Sequence, residues 1–244
     1  MGIALINQSS AISDEQVERI AEACDLQLHH DVAPAWDIQH PLRVTTSIQP
    51  SWYPFFLVDT IPEAPGALAY HFVQPNGVPA GKIGVETTLH AGESVESATS
   101  HEAVELQCDV FCASWSYSDR LRCLVATEAC DPVQSDTYEI KVDDGTLVEV
   151  SNFVTPYYFT EDPLDHPLDH LGRLTQTFGI APGGYQIQMK AGKVNNVFGD
   201  RFSSALRAGK EASQGRTFWR NVTMAIALSQ ERVGMHTEGS EVAR

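Results

Sequence analysis

Positive charge is the first thing this chain is short of. Its 244 residues carry 16 Lys and Arg against 32 Asp and Glu, for a net charge of -16 and a calculated pI near 4.8. Such a surface repels phosphates, so direct nucleic-acid binding is not expected. Long apolar runs are missing too. No stretch of about 18 consecutive apolar residues occurs, and no membrane span is expected. The start, Met1-Gly2-Ile3-Ala4-Leu5-Ile6, has neither a basic region nor a long apolar segment, so no signal peptide is read there. Ile6 stands where the myristoylation pattern needs Ser or Thr. There is no G-x-S-x-G, which argues against a serine hydrolase of that type. There is no phosphate-binding glycine loop, because Gly183-Gly184 is followed at once by Tyr185.

Cysteine is sparse and odd in number: Cys24, Cys108, Cys112, Cys123 and Cys130. Without an export signal, reduced thiols are the expectation. Cys108, Cys112, Cys123 and Cys130 are close enough for a four-thiolate zinc site to be conceivable, but their spacings match no common zinc pattern, and buried thiols are the simpler reading.

What is present is a composition that is 43% hydrophobic, enough for one large domain or a domain with a small appendage. The expected order is a strand at 3–7 and a helix at 14–28, with Ser13 as cap and Gln16 at the capping-box position. Strands follow at 44–48, 52–59 and 67–73, then a strand at 82–87 at a sheet edge, and then a central helix. Beyond it, 138–150 reads as a hairpin around Asp143-Asp144-Gly145, and 185–199 reads as a strand and its return. A helix or strand is expected at 217–229 and a disordered tail at 236–244. The fold class is therefore α+β: a mixed sheet with two helices in residues 1–132, and a hairpin-rich part in 133–235 packed on it.

The chemistry concentrates on the central helix. Residues at i, i+4 and i+8 lie near one stripe, so His101, Glu105 and Asp109 share a face, with Glu102 about 100° away. An imidazole and converging carboxylates could hold a divalent metal and leave one base over. The alternative is a partly buried helix with an acidic outer face. His71 is an outside candidate, since a lone strand histidine is as a rule a packed residue. Asp131-Pro132 alone also reads as a turn or helix start.

The order of elements up to His101-Glu102-Ala103-Val104-Glu105 resembles the upper half of a zincin metallopeptidase, with Glu105 where that family's H-E-x-x-H has its second histidine. The resemblance implies His101 and Glu105 as metal ligands, a third ligand from Glu128 or Asp131, Glu102 as general base, and Asp109 as a group orienting a ligand. The metal it implies is divalent, zinc being the family's usual ion. The second-histidine departure leaves a harder ligand set that also suits other divalent ions.

A second resemblance spans about residues 69–185. Ala69-Tyr70-His71, Ser100-His101-Glu102 through Glu105 to Asp109, Glu128-Ala129-Cys130-Asp131-Pro132-Val133, Val150-Ser151-Asn152-Phe153-Val154-Thr155-Pro156 and Pro182-Gly183-Gly184-Tyr185 are together similar to a phage- and prophage-associated protein family. Val110 stands where that family's proline is expected. This likeness implies either a metal-dependent hydrolase of peptidase type or a virion structural protein, from head or tail, that keeps a zincin-like fold. The implied partners are other virion proteins or a peptide substrate, and the implied location is the virion or the host cytoplasm.

Overall fold

In the computed structural model, residues 1–202 and residue 207 are described. The elements expected at 217–229 and 236–244 lie outside the described residues. The chain is α+β, with three sheets and four α-helices among the described residues.

The first sheet is built from β1 (Gly2–Asn7), β2 (Leu42–Val44), β3 (Trp52–Val58), β4 (Ala69–Val73) and β5 (Pro79–Gly84), in the order β2-β1-β3-β5-β4. β1, β2, β3 and β5 run parallel, and β4 runs antiparallel to β5. Strands buried on both faces read as continuous apolar runs, as Ile3, Ala4 and Leu5 do here, all fully buried. β5 approaches β3 closely because Gly81 has no Cβ; one there would meet the Phe55 ring at 2.6 Å.

α1 (Asp14–Gln27) starts on the capping box that the sequence predicts: Ser13 Oγ accepts from the Gln16 amide and Gln16 Oε1 accepts from the Ser13 amide. It continues through one π-helical turn (Leu28–Val32) into the short α2 (Ala33–Trp36). Two strand expectations need correction. The strand expected at 44–48 ends at Val44, because Thr45 Oγ1 and Gln49 Nε2 both donate to the Ser47 carbonyl and turn the chain away. The strand expected at 82–87 ends at Gly84, and Val85–His90 forms α3. Val85 is buried in the core and the Glu86 amide donates to the Asp59 carbonyl, so tertiary contact overrides the β-branched run. Nor is β5 the edge. The turn at Gly77, with φ +82°, folds β4 back onto it, and β4 takes the edge.

α4 (Val95–Cys108) starts at Ser94, whose Oγ accepts from the Ser97 amide. It packs on β4, β5 and α1, and on β9 of a separate two-stranded sheet, β8 (Thr137–Lys141) with β9 (Leu147–Ser151). With neighbours on every side, residues 99–107 of the helix are all buried. Ser100 among them joins a buried polar network. Ser100 Oγ donates to Gln27 Oε1 at 2.7 Å and accepts from the Ser151 amide, while Gln27 Nε2 donates to the Ser151 carbonyl.

The last sheet takes β6 (Trp115–Ser118) and β7 (Cys123–Ala126) from before residue 132. It takes β10 (Tyr185–Lys190) and β11 (Lys193–Phe198) from after it, in the order β11-β10-β7-β6. A single apolar cluster runs from Ile3 and Leu5 through Val104 and Leu106 to Val133, Phe153 and Tyr158.

Candidate metal centre

α4 is the floor of the site. Its i, i+4 pair meets as the helical spacing predicts, with His101 Nε2 3.2 Å from Glu105 Oε1. Across from them lies Asp131, in a short 3₁₀ turn (Asp131–Val133), with Oδ1 3.2 Å from the same His101 nitrogen. The Cys130 and Asp131 amides both donate to Glu105 Oε1 at 3.3 Å, which fixes the carboxylate between helix and turn. His101, Glu105 and Asp131 thus form one group able to hold a metal ion.

The turn bearing Asp131 is itself held from the far end of the chain. The Ala181 amide donates to the Pro132 carbonyl, and Ser135 Oγ and Gln134 Nε2 both donate to the Gly183 carbonyl. Gly184 lies so close that a Cβ there would come within 2.2 Å of the Pro132 carbonyl oxygen. The Pro182-Gly183-Gly184-Tyr185 motif is a packing surface for the turn.

A second group lies deeper. β4 alternates its side chains between two faces. Tyr70 packs with Ile61 and Ala64, and His71 turns toward α4, 1% exposed. Glu102 Oε2 accepts from the His71 amide at 2.8 Å and stands 3.1 Å from its Nδ1. Glu105 Oε2 is 3.6 Å from that Nδ1, and Glu128 Oε2 is 3.9 Å from Nε2 on the other side of the ring. His71, Glu102 and Glu105 are a buried group that could hold a metal ion. No cysteine belongs to either group, and all five are free thiols.

Neither the chain nor any part of it matches a protein-family model, a curated protein or a solved structure.

The site residues read from the sequence thus separate. His101, Glu105 and Asp131 converge. Glu102 and Glu128 flank His71 instead. Asp109 caps the end of α4, and its two carboxylate oxygens accept from the Ala113 and Ser114 amides, shaping the loop after the helix. His71 comes from a strand about thirty residues upstream, and no spacing in the sequence pairs it with α4. Its signals in the sequence are its place in a strand and in the Ala69-Tyr70-His71 motif.

Burial alone would lower both histidine pKa values, because it disfavours the charged ring. The surrounding groups outweigh it. Glu105 and Asp131 raise His101 to about 10. Cys112, Glu102 and Glu128 raise His71 well above the ordinary value.

A cleft of about 350 Å³ opens over this centre. Leu68 and Ala69 beside the β4 edge form one wall, Tyr185 and Ile187 line the other, and His101 and Glu102 are reached from it. The His101 side chain is 11% exposed, whereas Glu105 and Asp131 are fully shielded.

Proposed function

We propose that this chain is a metal-dependent hydrolase of peptidase type, with a divalent ion, zinc being the first to test, held by His101, Glu105 and Asp131. The observation that carries the reading is the convergence of these three side chains, about 3.2 Å apart through His101 Nε2, with His101 reaching the cleft. A divalent ion held there supplies Lewis acidity toward water and a carbonyl oxygen. The chain's own residues do the rest. Glu102 borders the cleft and takes the proton as water adds to the substrate carbonyl, then returns it to the leaving group. The His71 amide keeps that carboxylate in place through its 2.8 Å bond to Oε2. The zincin-like order of elements, with an antiparallel edge strand beside the helix, supports the same reading.

The reading is tested with Glu102→Gln. That variant should fold and keep an ion at His101, Glu105 and Asp131, and lose chelator-sensitive peptide cleavage by at least about a hundredfold, the lower range for loss of a general base. Equal cleavage by both proteins would sink it.

One observation favours a second reading, a non-catalytic virion component stabilised by metal. The ligands are nearly sealed, with only the His101 edge reaching the cleft. In that case neither protein cleaves, and chelation lowers thermal stability without affecting any turnover.

A further inference from the structure

We infer that the centre takes two divalent cations at once, with Glu105 as the carboxylate that bridges them. The inference rests on the proposed metal reading of α4 and extends it to a second, inner position.

The two oxygens of Glu105 face different groups. Oε1 faces His101 Nε2, which Asp131 Oδ1 also approaches. Oε2 faces His71 Nδ1, which Glu102 Oε2 also approaches. Each oxygen therefore completes its own set of one imidazole nitrogen and two carboxylate oxygens. One carboxylate spanning two such sets is the arrangement of two-metal sites, in which the ions stand about 3.5–4 Å apart.

Glu102, Glu105, Glu128 and Asp131 are 2%, 0%, 2% and 0% exposed, and they surround His71 and His101. Burying carboxylates in low dielectric requires compensation. One divalent ion with neutral imidazoles leaves two negative charges over; two ions balance all four.

The Nε2 of His71 is buried with no hydrogen-bond partner, and it faces Glu128 Oε2 at 3.9 Å. A metal-ligating histidine ordinarily sets its second ring N–H toward a carboxylate, which fixes the tautomer and raises the basicity of the ligating nitrogen. Nδ1 toward the inner position and Nε2–H toward Glu128 is that arrangement. Glu128 is thus a positioning residue for His71, and the inner ion rests on His71, Glu102 and Glu105.

The test uses the full-length protein, dialysed to equilibrium against Mn²⁺ and analysed for metal content and by electron paramagnetic resonance. Two Mn²⁺ per chain with an exchange-coupled spectrum are expected, because a bridging carboxylate couples the spins. One Mn²⁺ per chain with an isolated six-line signal overturns the inference and leaves the metal reading of α4 standing; no bound Mn²⁺ overturns both. Two ions without coupling also overturn it, since Glu105 would not bridge. Glu128→Gln, nearly the same shape, should weaken one ion by roughly 10–100-fold and leave the other. Asp131→Asn should do the reverse. Unchanged affinity for both ions in Glu128→Gln, with the far-UV spectrum of the parent, would count against the inner position.

Discussion

Glu105 faces a histidine from its own helix and a histidine from a strand. Its partnership with His101 follows from helical geometry, and the two side chains do meet. Its contact with His71 follows from nothing local, because β4 reaches α4 only after the sheet has formed. Glu102, a turn fraction away on the helix, goes to the same strand residue. The histidines then make a prediction about pH. His101 is held up to about 10 against an ordinary 6.5, and His71 is also raised. A raised folded-state value means stability that is fully present below about 6.5 and lost as pH rises through about 10 in the metal-free protein. Metal needs the neutral ring, so uptake at neutral pH must expel protons, and affinity should climb with pH across that same window. Calorimetry of Zn²⁺ binding in buffers of different ionisation enthalpy should report release of about one proton per histidine ligand. Heats that are the same in every buffer would contradict this.

Among the elements, those with a strong local signature were legible: the capped α1, the hairpin β8–β9, the strand pair β10–β11 and the helix α4. Those decided by distant contacts were not. The β-branched run after Gly84 reads as strand but folds as α3 because Val85 is drawn into the core. The edge position of β4 depends on one turn reversing over the outside of β5. The Asp131 turn has a sequence signal in Asp131-Pro132, yet its support comes from residues 181–184. Gly184→Ala therefore carries an element-level prediction. The added methyl must push against the Pro132 carbonyl, which is backbone and cannot rotate away. A loss of about 1–3 kcal/mol in stability is expected from the overpacking. A weaker His101–Asp131 metal position should accompany it. Urea unfolding and equilibrium dialysis would measure the two effects, and a variant with parental metal affinity would show that the turn does not depend on this contact.

For the whole molecule, the balance of charge and burial matters more than any one pair. A chain at -16 that still places four carboxylates around two histidines in its interior is under strong self-repulsion when those carboxylates are ionised. The candidate ligands come from β4, α4 and the turn after β7, so the unfolded chain has no preformed site and a metal ion would bind the folded state selectively. A free-metal concentration a hundredfold above Kd should then add about 2.7 kcal/mol to stability. Calorimetric melting with Zn²⁺ and with EDTA would show it as a higher Tm in metal; identical melting curves would argue that the interior is neutralised by protons instead. No described helix is long and apolar enough to cross a membrane. The largest apolar cluster takes residues from both sides of position 132, with Val104 and Leu106 before it and Phe153 and Tyr158 after it.

The clamp on the Asp131 turn also bears on the order in which the molecule can be made. A chain emerging from the ribosome presents β4 and α4 early, and Asp131 soon after them. The Ala181 amide and the Gly183 carbonyl, which hold that turn, appear some fifty residues later. Proteins fold from the N-terminus as synthesis proceeds. A nascent chain halted before Ala181 would expose α4 and its carboxylates without the support that aims Asp131 at His101. Metal loading at that position would then be a late event of biogenesis, set by when β10 docks and not by when the last ligand is translated.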